Sequence, residues 1–559
     1  MTTTAKILGT VALPTTSMLT STIELSFRLM QEGVKFCDAL KAGHGMQRYA
    51  STIGELYYET TTAEPPDWAD FLDSGNPGLK AKLSSQHSSA VLLLEAGPIN
   101  NKRIFAVTFG QGHHFIDRDL IERQFGLRVT LNSISRKNLR TLDSARLDST
   151  VIQRRTQASR ESDLGEFGFD SHRELLRLAS GKPGDPGIAK AMSGKDALQI
   201  RKKLAFADLP SVCESLLQLY AAKDYENDFK FIDQFKPLHK GKLVDQLDAL
   251  LFAELKNLIK GVPSDLHLAV SDILPVAETP ALSYYGSNLP SKKTKFADLS
   301  IDDYVAELRL GSFGAISTID DIRSTHEVRR LNNAPGDPYG SKKVYDCMVY
   351  ETSLSSGTYV LFDGQWYEIS SAYYQEVEQA YLNLLAPTFL ATSTAKNERE
   401  LIKALCDPAY PDLLCIDQTK VNPGGVKGAN LEACDFLSKS AQLIHLKDSE
   451  ASAPLSHLWN QGLVSAETLQ RDSAFRTGFR KVAKARESLY SRSGFTVQLP
   501  SASKINTSKF TVVYGVLKKR NKKTGLVSLP FFSKVALRAA AARITMMGYR
   551  VELHLIEKI

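Results

Sequence analysis

The chain has 559 residues, 43% hydrophobic and 23% charged, with a net charge of +7. That is a globular composition with room for about three to four cores, and the mild basicity favours an anionic partner only weakly. No apolar run approaches the ~20 residues that span a bilayer, and six cysteines without a CxxC pair argue against a zinc ribbon.

The N-terminal MTTTAKILGTVALPTTSMLTST has an apolar patch but neither a basic start nor a long apolar run, so no secretory signal is expected. Scattered Cys37, Cys213, Cys347, Cys406, Cys415 and Cys434 then point to reduced thiols in a cytoplasm. Residues 1–129 read as an α+β domain: a helix over TIELSFRLMQEGVKFCDAL, then strands at SSAVLLLEAG and RIFAVTFG. His113 and His114 are adjacent, and adjacent strand residues face opposite ways, so they read as turn residues rather than metal ligands.

Residues 130–187 form a polar, Arg/Ser-rich connecting segment, either wrapped along the body or reaching for nucleic acid, and KPGDPG closes it. Residues 188–340 read as a largely helical middle domain. LPSVCESLLQLYAAK and KLVDQLDALLFAELKNLIK carry apolar residues at helical spacing. In 341–385 the period changes to two: KVYDCMVYETSL, GTYVLFDG and QWYEIS predict an antiparallel meander with an Asp-Gly turn, and SAYYQEVEQAYLNLL predicts a helix.

Residues 386–559 begin with a helix opened by Asn397, with Glu400 placed as in a capping box. LLCID is a short strand, NLEACDFL and QLIHLK a hairpin, and 455–486 a long basic helical region. FTVVYGVL, PFFSKVALRAAAARITMMG and YRVELHLI follow as strand, helix and strand. The order α-β-β-β-α-β, extended by α-β, resembles the core of the PD-(D/E)XK nucleases. The expected fold class is therefore α/β (an α+β multidomain chain). A C-terminal mixed sheet flanked by helices would follow α+β N-terminal and middle domains.

That resemblance implies a divalent-metal site. An acid on the second strand and an (Asp/Glu)-x-Lys on the third hold hard Mg²⁺ or Mn²⁺ through oxygen, and the lysine attends the attacking water. Asp435 matches the strand-two acid, and His445-Leu446-Lys447 stands where the triplet belongs, with His445 replacing a carboxylate. Ile444 and Leu446 would face the core. A three-residue turn sets Asp435 opposite His445; two or four residues set Glu432 opposite Lys447. Asp435 is favoured because Phe436 and Leu437 follow it, and Glu432 is the reserve ligand. Glu398 or Glu400 on the preceding helix and Asp417 at the end of the LLCID strand are further candidate ligands.

His457 in LSHLWNQG suits a phosphate contact or packing beside Trp459. Arg476, Arg480, Lys481, Lys484 and Arg486 recur at three- to four-residue spacing, as a nucleic-acid backbone track would. Lys518, Lys519, Arg520, Lys522 and Lys523 form the densest basic cluster.

Several blocks together (FAVTFGQGHHFI, ERQFGLRVTLNSI, GEFGFDSHRELLRLASGKP, YVLFDGQWYEI and LPFFSKVALR) resemble a "sporadically distributed" bacterial family of unknown function found near restriction and other defence genes. The resemblance spans roughly residues 50–559. It implies defence against foreign DNA and supplies no mechanism. The expected function is a metal-dependent endonuclease cutting foreign DNA. The alternative is a catalytically inactive nuclease-like sensor or scaffold that binds nucleic acid. A second copy or a defence partner protein is a further expected contact, and no membrane is. The absence of GxxxxGK[ST] argues against a built-in NTPase.

Overall fold

The computed structural model describes residues 21–66, 68–146, 151–262, 264, 266–269, 281–297, 299–331, 338–424, 430–449, 452–499, 505–520 and 525–559. The N-terminal stretch read for a signal, apart from its last two residues, lies outside these, as do Lys522 and Lys523. Helices and several sheets are mixed throughout, as the composition implied. Among the described residues no helix is long and apolar enough to cross a membrane. The six cysteines form no disulfide.

The chain divides into two compact units. The first comprises residues 1–143, 156–168 and 177–230. Its sheet sets Gln47–Tyr49, Glu55–Thr60, Ser88–Ala96, Arg103–Phe109, Ser21–Leu29, Leu198–Leu204 and Ala191–Gly194 side by side, each neighbouring pair antiparallel. The segment TIELSFRLM is thus a strand and not the expected helix. Leu25, Phe27 and Leu29 are buried while Ser26 and Arg28 between them are half-buried, a period of two within a run whose composition suits either element. The Arg/Ser-rich stretch also forms strands, at Leu139–Arg146, Ile152–Ser162 and Glu174–Gly181. His113 and His114 lie in a short 3-10 turn, Gly112–Phe115.

The second unit comprises residues 144–155, 169–176 and 231–559. Met348–Leu354, Gly357–Phe362 and Gln365–Ile369 form the expected antiparallel meander. Its Asp-Gly turn has Asp363 and Gly364 both at positive φ (51° and 67°), as a tight hairpin turn requires. The helix Ser371–Leu384 follows.

The C-terminal part carries a six-stranded mixed sheet. Its elements in chain order are β1 (Thr392–Ser393), α1 (Glu398–Leu405), β2 (Leu413–Cys415), β3 (Phe436–Ser438), β4 (Gln442–Asp448), α2 (Ser452–Arg471), α3 (Ser473–Leu489), β5 (Thr511–Lys518), α4 (Phe531–Met546) and β6 (Arg550–Lys558). The spatial order is β1-β6-β5-β4-β3-β2. The pairs β2–β3 and β3–β4 are antiparallel, and β4–β5, β5–β6 and β1–β6 are parallel. On one face Leu443, Val512, Tyr514 and Leu553 pack with α2, α3 and α4. On the other, Ile444, Leu446, Val513 and Ile556 pack with Leu401, Ile402 and Leu405 of α1. The long basic helical region is two helices, because the Asp472 carboxylate accepts from Phe475 N (3.0 Å) and starts a new N-terminus.

Gly462 brings α2 against the sheet. A Cβ there would stand 2.5 Å from the Tyr514 hydroxyl, which donates to Trp459 O at 2.8 Å. Gly→Ala inside a helix ordinarily gains about 1 kcal/mol from propensity. Gly462→Ala instead should lose about 1–3 kcal/mol, because Tyr514 is buried and cannot move away. Urea unfolding of the variant measures the sign, and a stabilised protein would show that α2 does not depend on this approach.

Candidate functional site

The hairpin turn decides which side chains meet. Phe436 pairs with Ile444 and Leu437 with Leu443, so Lys439, Ser440 and Ala441 form a three-residue turn. Ala441 takes the left-handed conformation (φ 61°) that closes it. Continued by one residue, this register sets Asp435 opposite His445. Leu446 N donates to Asp435 Oδ2 at 2.6 Å, which aims the carboxylate at the adjacent strand.

Two further segments are fastened around Asp435. The amides of Ile416 and Asp417 both donate to Asp435 O, at 2.7 and 3.0 Å, pinning the chain just beyond β2. Gln418, left-handed at φ 58°, then turns so that its N–H reaches Glu432 Oε1 at 2.6 Å. Val421 and Leu431 exchange two backbone hydrogen bonds, and Ser465 of α2 donates to Glu432 O at 2.9 Å. Asp417, Glu432 and Asp435 thereby each offer one oxygen within 4.8 Å of the others.

The electrostatics follow from that crowding. Burial pushes the Asp435 carboxyl well above the usual carboxylate range; Glu432, Asp417 and Glu398 push it further, against the Leu446 hydrogen bond. Glu432 and Asp417 are raised by the same two causes, burial first. Among the described residues none of the three is in an ion pair. The Arg486 guanidinium approaches but donates to Asp417 O (2.8 Å), not to the carboxylate.

Lys447 Nζ lies 2.8 Å from Glu398 Oε2, at the first turn of α1. Glu400 stays outside the group: it is exposed, and its Oε2 accepts from Lys396 N at 2.9 Å as a helix cap. His445 is only 4% exposed, and its Nε2 has no hydrogen-bond partner among the described residues. Burial lowers its pKa to about 4, so the ring is neutral at physiological pH. A cavity of about 820 Å³ is lined by Glu432, Asp435 and His445 together with His457, Asn460 and Gln461 of α2.

The basic candidates are placed differently from a track. Arg476 is 5% exposed and donates from Nη1 to Leu469 O and Gln470 O, both at 3.0 Å. Arg480 Nη1 donates to Thr496 O at 2.6 Å and also to Leu499 O. Lys481 and Lys484 remain exposed, Lys518 is buried and Lys519 is exposed. Arg520 binds Glu557 of β6, Nε to Oε1 at 2.8 Å. Arginine in this region largely closes the chain's own carbonyl ends, which spacing alone does not reveal.

Sequence reasoning passed over Asn460 and Gln461. Their signal was present, because with His457 they occupy i, i+3 and i+4 on the polar stripe of an amphipathic helix.

A family model described as a family of unknown function (DUF6119) matches residues 25–557. The chain belongs to that family. Comparison with curated proteins and with solved structures gives no match.

The donor set fits a hard divalent cation. Oxygen ligands about 2.1–2.4 Å from one ion are separated by no more than about 4.2–4.8 Å, the spacing these carboxylates already have. Three carboxyls with raised pKa values bind protons more tightly folded than unfolded. That part of the stability is therefore present in acid, below the unfolded carboxylate range, and is lost as pH rises through the folded values. Metal-free protein should lose melting temperature as pH rises above the ordinary carboxylate range near about pH 4, and Asp435→Asn should raise it at neutral pH. Mn²⁺ should stabilise the wild type, more so at higher pH, and leave Asp435→Asn unmoved. Calorimetry across pH checks each part, and a metal response preserved in Asp435→Asn would remove Asp435 from the site.

Proposed function

We propose that this protein is a divalent-metal-dependent phosphodiesterase of the endonuclease type, acting on foreign nucleic acid in bacterial defence. The observation that carries the chemistry is the meeting of Asp417, just beyond β2, with Glu432 and Asp435, just before β3, none in an ion pair among the described residues, and the last two lining a groove. The α-β-β-β-α-β order of the C-terminal sheet and the position of Lys447 support the same reading. The role in defence rests on the resemblance to families near restriction genes.

Asp417, Glu432 and Asp435 would hold Mg²⁺ or Mn²⁺. The bound ion supplies charge to polarise the scissile phosphate and to lower the pKa of the attacking water. Lys447, steadied by Glu398, places an ammonium beside that water or a phosphate oxygen. His445 is neutral, so it offers the substrate one hydrogen bond and no charge. Its presence where a carboxylate is expected is the observation favouring the second reading, a non-cleaving nucleic-acid sensor on the same groove.

Purified protein should cleave nucleic acid with Mg²⁺ or Mn²⁺ and stop with EDTA. Asp435→Ala and Lys447→Ala should each lose about 10²-fold or more in rate, the scale of a positioned acid–base or metal-holding group. Variants that cut at the wild-type rate would end the hydrolytic reading.

A further inference from the structure

The groove is limited in charge as well as in size. A volume of about 820 Å³ is that of a pocket enclosing one small ligand or a short piece of a chain. Lys420 is the only lysine or arginine among the described residues lining it, against Glu432 and Asp435. Arg476, Arg480 and Arg520 are committed to carbonyls or to Glu557. Duplex binders commonly neutralise about six to ten phosphates, and the described lining offers no such row of cations.

The α2 part of the lining carries different chemistry. Asn460 and Gln461 stand exposed on α2, with His457 one turn before them. A side-chain amide sets a donor beside an acceptor, which matches the hydrogen-bonding edge of an unpaired base, and an imidazole offers a face for stacking. Independently of the acidic cluster, His445 keeps Nε2 buried and unpartnered among the described residues in the same lining. A buried polar atom in that state calls for a ligand or water.

We infer that the groove takes single-stranded nucleic acid, with an unpaired base against Asn460 and Gln461 and its phosphate over the Asp417–Glu432–Asp435 cluster. What happens to the phosphate rests on the hydrolytic reading above; what binds does not. Base pairing would hide the edge that the amides address, and among the described residues the lining has no cationic row to grip a second strand.

The test gives the full chain one labelled 20-nucleotide sequence as a single strand and as a blunt duplex, in DNA and RNA forms. Mn²⁺ is used for cleavage and Ca²⁺ for binding. The single strand should bind and be cut at least ~10-fold better than the duplex. Its affinity should fall with a log–log salt slope near −1, the value for one or two phosphate contacts at about −0.7 each. The double variant Asn460→Ala/Gln461→Ala, at exposed positions, should fold normally by calorimetry and bind the strand ~10-fold more weakly. Equal or better binding of the duplex, unchanged binding by the double variant, or no binding of either form overturns the inference. Strand binding that the double variant weakens, without any cleavage, sinks the hydrolytic reading and leaves the groove assignment standing.

Discussion

Holding three carboxylates within 4.8 Å of one another in a half-buried place is the constraint on which the C-terminal architecture turns. Like charges so close and so poorly solvated repel, and with burial this raises the pKa of each carboxyl. The backbone must therefore supply the order that the side chains resist. Two amides on Asp435 O, one on Glu432 Oε1 and a serine hydroxyl on Glu432 O do so. The left-handed Gln418 sits within that lacing, a mildly costly conformation kept where neighbouring hydrogen bonds determine it. An arrangement that opposes itself in the absence of a cation is easier to understand as a binding site than as a structural one.

The arginines show how little a charge count says about a surface. Arg476, Arg480, Arg486 and Arg492 all lie on or just beyond α3, and each donates to main-chain carbonyls: at the end of α2, at residues 496 and 499, at Asp417, and at Cys406 and Asp407. A guanidinium with several donors suits that task, since carbonyls at element ends have no partner within their own element. The same residues cannot also form an open row for phosphates. The exposed polar side chains beside the groove are instead His457, Asn460 and Gln461 on α2.

Much of the fold was legible because periodicity is local. The meander, the α3–β5–α4–β6 order and most helices follow from periods of two and 3.6 in the residues themselves. The strand Ser21–Leu29 was not, since LSFRL satisfies both periods over five residues and only its neighbours in the sheet settle the matter. The break at Asp472 was missed for a related reason. A capping aspartate inside a continuous amphipathic pattern looks like one more polar residue until its hydrogen bond to Phe475 N is seen.

At the site, the sequence by itself determined the cast: Asp435 followed by an apolar pair, His445 and Lys447 two apart on one strand, and acids at 417 and 432 near the strand ends. It left the hairpin parity open, because side-chain direction depends on a turn length that composition does not state. Tertiary structure decided the rest. The turn at 439–441 set Asp435 opposite His445; the loop between β2 and β3 carried Glu432 and Asp417 to it; Glu400 went to a helix cap and Glu398 to Lys447. The meeting of Asp417 with Glu432 and Asp435 is a property of how the connection between β2 and β3 folds back on itself, and the spacing of the three along the chain does not encode it.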